Sequence, residues 1–398
     1  MLRKYQIEYR IKNIAAPALV FLSLFLRMMP QALTTVGPIM KMGTLCNFLL
    51  VGAAIVLFLK RPELDSFSLA YFCFLSVRFL SNMVNGVDVF KSAWTAILAV
   101  AFFVILKWAA EVSWENFLDA ILFFMLAALL INLLFMIQDP EGLFENVQHE
   151  KIHFLGNRNS IIEYGLSGVI AGYFKIAEKK GDKISFLTWI ILWFIQMITF
   201  SLSKSLTSIV GLTLLLGYLL FWNGRRTSCF WSVYIFGAIS IAFYFLIVQN
   251  QASGKLLEKI LFFLEKSSSF AERMTTWRAY LKEIPNEMIL GHGVLEQSAL
   301  SRIFVGTTAA TNRHAHNIFL NIAFQSGIAG LFAFLFLFVI IISKLKDTED
   351  LWAALFVGVL LGVLLVMSQV EAYTIEFYSL ILFIVYSYTR KSGRIYHE

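Results

Sequence analysis

Apolar runs of about 17–25 residues are long enough to cross a bilayer as a helix, and the chain holds twelve runs of about that length. They fall over residues 14–33, 40–59, 66–84, 92–110, 117–137, 159–177, 184–201, 205–222, 230–248, 317–342, 351–369 and 374–389. The polar breaks between them are short, with one exception at 249–316. Within that connection, Leu256, Leu257, Ile260, Leu261 and Leu264 share one helical face while Lys255, Glu258, Lys259 and Glu265 lie elsewhere. This spacing predicts an amphipathic helix over 253–266, suited to an outer leaflet or to capping the bundle. A second helical stretch over 271–284 carries Arg273, Trp277, Arg278 and Lys282 and stops before Pro285. Gly291-His292-Gly293 reads as a turn and 306–312 as flexible loop. The expected fold is an all-α polytopic integral membrane protein of about twelve transmembrane helices, a single membrane domain over 1–398 with one large helical loop at 249–316. A long structured loop among short ones is where function usually sits.

Composition agrees with this pattern and removes other classes. The 398 residues are 59% hydrophobic, 16% aromatic and 15% charged, with a mean hydropathy of +0.73. Soluble domains carry roughly a quarter charged residues. Cys46, Cys73 and Cys229 lie inside apolar runs without metal-ligand or redox spacing, so they read as small packing residues. Residues 1–13 are too charged to suit a cleaved signal peptide. Basic residues in short loops set orientation. With the N-terminus cytoplasmic, sixteen Lys and Arg fall inside, whereas the short outer loops hold Lys91, Lys151, Arg158 and Lys204. Both termini and Arg225-Arg226 are therefore expected inside and 249–316 outside. The net charge of +7 is largely this topology signal plus attraction to membrane lipids, and no nucleic acid is implied.

Ionisable groups at membrane depth are costly and tend to be used. His316 stands where the polar loop meets the tenth run, a titratable ring at a membrane surface. Arg27 and Arg78 each lie six residues before an expected outer helix end, roughly 9 Å below the surface at 1.5 Å per residue. Arg158 and Lys204 sit at outer ends. Any one of these cations has a plain alternative in snorkelling to headgroups. Together they outline a basic pocket open to the outer side, suited to a diphosphate. Glu163, Glu371 and Glu376 are the acidic candidates near the same surface, and for them structural pairing competes with orienting a base or holding a sugar hydroxyl. His314 and His316 have a His-x-His spacing, but no Cys and no second ligand pair accompany it, so no metal is expected. No Gly-x-Ser-x-Gly, phosphate-cradling glycine loop or His-Glu-x-x-His occurs, which leaves hydrolase, ATPase and metalloprotease readings without support.

Four segments in order, within about 150–342, resemble the O-antigen ligase and polysaccharide polymerase superfamily. They are Gly156-Asn157-Arg158-Asn159, Ser201-Leu202-Ser203-Lys204-Ser205, Arg273 with Trp277 and then Gly291-His292-Gly293, and His316-Asn317 followed by Gly327 and Gly330. Lys204 stands where ligases commonly carry Arg, a form often seen among the polymerases. The resemblance implies a GT-C-like membrane glycosyltransferase of a bacterial inner (plasma) membrane. The donor would be an oligosaccharide on undecaprenyl diphosphate, used at the external face. The acceptor would be another lipid-linked repeat unit in a polymerase, building O-antigen, capsule or exopolysaccharide, or lipid A-core in a ligase. No cofactor is implied, since the leaving group is already a lipid diphosphate. On this reading Arg273 and Lys204, with Arg158, hold the diphosphate and His316 activates or positions the acceptor hydroxyl. Asn317 fixes the ring or binds sugar, Arg78, Glu163 and His314 are further candidates, and Gly327 and Gly330 allow close helix packing.

Polymerase is the first reading and ligase the second. A transporter or flippase is a different class that also has twelve spans and buried cations. Its pointer would be matching Gly/Pro-broken spans in two halves. The six prolines fall chiefly in loops or at span ends, and one half alone carries the long loop.

Overall fold

The computed structural model describes residues 2–145, 151–179, 182–220, 226–250, 267–312 and 314–394. The amphipathic helix expected over 253–266, and Arg225, lie outside the described residues. Twelve helices coincide with the twelve apolar runs: α1 (Leu2–Arg27), α2 (Gly37–Lys60), α3 (Ser66–Val84), α4 (Val89–Val112), α5 (Trp114–Gln138), α6 (Ile161–Glu178), α7 (Lys183–Leu202), α8 (Leu206–Leu220), α9 (Arg226–Phe243), α12 (Ile318–Leu345), α13 (Leu351–Met367) and α14 (Ile375–Arg394). Two more, α10 (Ser267–Glu283) and α11 (Gln297–Ile303), belong to the long connection. Among the described residues, seven helices are long and apolar enough to cross a membrane by length and composition. The only strands among them are the antiparallel pair β1 (Phe144–Glu145) and β2 (Lys151–Ile152), between α5 and α6. The chain is an all-α, multi-pass membrane protein.

Six helix starts are marked by a polar residue that precedes the apolar run. Asp65, Asp88, Ser113, Asp182, Asn317 and Asp350 each accept a backbone N–H of the first turn of their helix, satisfying a donor that has no partner within the helix. Sequence also decides depth in the bundle. In α14, Leu380, Ile381, Leu382, Ile384 and Val385 are all fully buried, the expected outcome for a helix that is apolar around its whole circumference. It packs on α4, α6 and α12. In α2 only Gly43, Leu50 and Ala54 are buried, so most of its apolar surface faces outward.

Two ends differ from expectation. The first apolar run was expected to reach residue 33, but α1 stops at Arg27, and Pro30 leads into a short 3-10 turn at Gln31–Thr35. Arg27 is therefore a helix-end residue rather than a cation two turns below the surface, and it forms an ion pair with Glu376. The segment expected as flexible loop over 306–312 holds a 3-10 turn at Thr308–Ala310. Its Ala309 is fully buried in a small loop core with Trp277, Tyr280, Leu300 and Phe304.

The long connection is joined to the membrane helices by an exchange of backbone hydrogen bonds. Gly327 breaks α12 with φ of 65° and ψ of −169°. In an unbroken helix the N–H groups of Ile328 and Ala329 would bond to the carbonyls of Phe324 and Gln325. Instead Ile328 donates to Met288 (2.9 Å) and Ala329 to Ile289 (3.2 Å), while the freed carbonyls accept from His292 (2.7 Å) and Gly293 (3.0 Å). These four groups are repaired by the loop, as a backbone away from water requires. The glycines were expected to allow helix-to-helix packing, and here the structure corrects that reading. A Cβ on Gly327 would strike the Ile289 carbonyl, so it admits loop backbone, while Gly330 faces Ser326 of its own helix.

Candidate functional site

At the end of the bundle that carries the connection, the turn between α13 and α14 meets the start of α12, the loop helix α10 and the starts of α6 and α8. Glu371, in that turn, is the centre of a buried polar cluster. Its Oε1 lies 3.2 Å from Nδ1 of His316. Its Oε2 accepts from Arg273 at 3.1 Å and from the Asn159 side-chain amide at 2.6 Å. Arg273 reaches the turn because it stands one turn before Trp277, which is fully buried in the loop core. Its guanidinium also donates to the Val370 carbonyl. Burial pushes the Glu371 carboxyl up, but Arg273 and the hydrogen bond with His316 outweigh it and hold the group well below the usual carboxylate range. Glu371 thus stands between the Arg273 guanidinium and the His316 imidazole.

His316 and Lys204 carry positive φ, 50° and 52° respectively, and among the described residues no other non-glycine does. Left-handed backbone is uncommon outside glycine, and residues held there cluster at functional sites. For His316 the conformation sets the ring against Glu371 immediately before α12 begins. The bond from Nδ1 leaves Nε2 with no hydrogen-bond partner among the described residues. The His314 ring packs edge-on against it with centroids 4.4 Å apart, and His314 Nδ1 accepts the His316 backbone N–H at 3.3 Å. For Lys204, the left-handed residue closes the tight turn between α7 and α8.

Arg158, Lys204 and Arg273 line one pocket of about 270 Å³, together with Asn159. The rest of its wall is largely apolar, including Leu206, Val210, Leu214, Phe243, Phe270 and Met367. Three cations at the polar end of an apolar slot suit a ligand with an anionic head and a lipid tail.

The remaining candidates fall elsewhere. Asn317 is fully buried. Its side-chain oxygen accepts from the Leu320 N–H, and its amide nitrogen donates to the Gln369 backbone carbonyl (2.9 Å) and side chain (3.0 Å). Glu163 accepts from the Thr374 backbone N–H at 3.1 Å and from its hydroxyl, fixing the turn that presents Glu371. Arg78 lines a different and larger cavity. His314, His316 and Glu371 bring one potential ligand atom each within 4.8 Å of one another, a spacing that a divalent ion can bridge. Glu371 already meets Arg273 and Asn159 through Oε2 and His316 through Oε1.

Glu371 was legible as an acidic residue at an outer turn, but nothing in its neighbourhood along the chain ties it to His316, 55 positions away.

The O-antigen ligase family model matches residues 189–335, the stretch that contains Lys204, Arg273, His316 and both glycines of α12. The match supports the O-antigen ligase/polymerase superfamily. No curated protein matches the chain.

Proposed function

We propose, from the superfamily that the match over residues 189–335 supports, that the protein transfers a saccharide from a polyprenyl diphosphate to a glycan acceptor, polymerising repeat units of a surface polysaccharide. The observation that carries this reading is the buried Glu371 joined to the half-buried Arg273 and His316, beside an apolar pocket lined also by Arg158 and Lys204. In the reaction, the acceptor hydroxyl attacks the anomeric carbon of the donor sugar. The new carbon–oxygen bond forms as the bond to the diphosphate breaks. His316 Nε2 takes the hydroxyl proton, and the lipid diphosphate departs with the bonding electrons. Arg273, Lys204 and Arg158 stabilise its developing charge, the contribution that pre-placed cations make in a site shielded from water. Glu371 holds the imidazole by Nδ1 so that Nε2 faces the acceptor. We assign Asn317 to fixing the start of α12, since its amide is fully used within the chain.

The test uses purified full-length protein in lipid nanodiscs with undecaprenyl-diphosphate-linked repeat units. Lengthening of the glycan supports the polymerase. The description of the matching family favours a ligase as the second reading, and product formed only when lipid A-core is supplied would select it. Transport across vesicles without new glycan would overturn both. Activity should persist in EDTA, because side chains provide the charge stabilisation. A loss restored by a divalent ion would move His314, His316 and Glu371 into a metal site.

The proposed setting is a bacterial inner membrane with both termini cytoplasmic. In a variant whose native cysteines are replaced by serine, Ser301→Cys on the loop should react with a membrane-impermeant thiol reagent in intact cells. Lys346→Cys, between α12 and α13, should react only after lysis. The reverse pattern would place the cluster on the wrong side for external transfer.

A further inference from the structure

On the other side of the turn that carries Glu371 lies a larger cavity, about 670 Å³, within the ~300–1,000 Å³ range of ligand sites. Its walls come from α3, the start of α4, the chain after Gly293, α11 and the start of α14. Most of it therefore lies outside the chain segment that the family match covers. Val370 lines the cationic pocket, whereas Ile375 and Glu376, at the start of α14, line this cavity, so the turn that carries Glu371 runs from one to the other.

The lining is chemically unlike that of the first pocket. Arg78, Lys91 and Arg302 alternate with Asp88, Glu296 and Glu376, and Phe79 contributes an aromatic face. Lys91 and Glu296 pair with each other at 2.6 Å, joining α4 to the entrance of α11. Arg78 lies within electrostatic reach of Glu376 and Tyr71 and keeps donors to spare. Its guanidinium reaches the Gln325 side chain at 3.4 Å and lies 5.7 Å from the Phe74 ring, although the group offers five N–H donors. Apolar side chains such as Leu75, Val294 and Ile375 lie among these charges, and Glu296 and Glu376 are each paired with a cation, so the wall is mixed rather than uniformly cationic. Sugar hydroxyls both donate and accept, so they meet cations and carboxylates alike, and a sugar's C–H face packs on a ring.

We propose that this cavity is the subsite for the acceptor glycan, with Arg78 gripping neighbouring hydroxyls. The assignment rests on the transfer reaction proposed above. It also satisfies the geometry of direct displacement: the entering hydroxyl must approach the anomeric carbon from the side away from the departing diphosphate. Acceptor and lipid diphosphate then enter the reaction from two separate cavities. The same chemistry would suit the distal sugars of the donor, and the experiment separates the two.

Four variants serve: Arg78→Ala, Arg78→Lys, and the plugs Ser298→Trp and Thr95→Trp, which fill the cavity from α11 and α4 at exposed positions. With donor and a short-chain lipid-linked acceptor varied separately, Arg78→Ala and both plugs should raise acceptor KM by about tenfold or more, equivalent to ~1.4 kcal/mol. Donor KM should stay within about twofold, and Arg78→Lys should fall between wild type and Arg78→Ala. A rise in donor KM instead would give the cavity to the donor's own sugars, and no change in either constant would remove it from the reaction. A second arm does not depend on transfer. Fluorescent lipid-free oligosaccharide, cut from the surface polysaccharide of the source cell, should bind wild-type protein in nanodiscs and lose that binding in either plug. If wild-type protein transfers nothing, the reaction reading fails while this arm still judges the cavity. Binding that survives both plugs, or no binding at all, overturns the glycan subsite.

Discussion

His316→Ala lowers glycan transfer by ~10²- to 10⁴-fold, the usual worth of a general base, while expression and membrane insertion stay at wild-type levels. The size follows from where the ring sits. Nδ1 is committed to Glu371 at 3.2 Å, so Nε2 is the nitrogen left for chemistry, and no neighbouring side chain within the described residues repeats that arrangement. His314 is adjacent, but its Nδ1 accepts the His316 backbone N–H, which makes it a support for the left-handed turn. The measurement is initial rate at saturating donor and acceptor on equal amounts of monodisperse protein. A rate within a few fold of wild type would remove His316 from proton transfer and leave it as a shape element of the turn.

Arg273→Ala should be the next most damaging change, with donor KM raised and kcat lowered together. Its guanidinium holds Glu371 and the Val370 carbonyl at once and lines the cationic pocket. Charge-assisted bonds are worth about 1.5–3 kcal/mol each, roughly tenfold or more per contact. Its removal also leaves the Glu371 anion buried with less compensation. Arg273→Lys keeps the charge but loses the planar fork that spans two acceptors, so it should recover part of the donor affinity and little of kcat. Lys282, exposed on the same helix, is the control, and Lys282→Ala should change neither constant by more than about twofold. Equal and small effects in all three variants would mean that the loop's positive charge acts collectively at the membrane surface.

What the sequence showed and what it hid divide along physical lines. Apolar run length is a local quantity, so α3, α7 and α13 lie within one or two residues of the runs that predict them. Pro30 was visible too, but the apolar residues around it masked the end of α1, and Arg27 was placed too deep as a result. Cations near one surface could be gathered from topology alone, and the structure brings Arg158, Lys204 and Arg273 around one pocket. Arg78 was grouped with them by depth, yet it lines the other cavity, because depth along a helix says nothing about which side of the bundle it faces. Glu371 and Asn159 meet across 212 positions, a pairing that no local pattern encodes. The left-handed backbone at His316 and Lys204 was equally hidden, because neither residue advertises that conformation as glycine does.

The hydrogen-bond exchange at Gly327 bears on how this protein can be recombined with its relatives. The loop and the broken helix complete each other's backbone, so neither is an independent part. A chimera that imports only 250–316 brings Met288, Ile289, His292 and Gly293 to a foreign helix that need not break at the matching residue. One that imports only α12 leaves two carbonyls and two N–H groups without partners at the bundle's polar end. Exchange of acceptor preference between relatives is therefore best attempted with crossovers at 249 and near 345, carrying loop and helix as one cassette, or by single substitutions on α3 and α4 that leave this seam untouched.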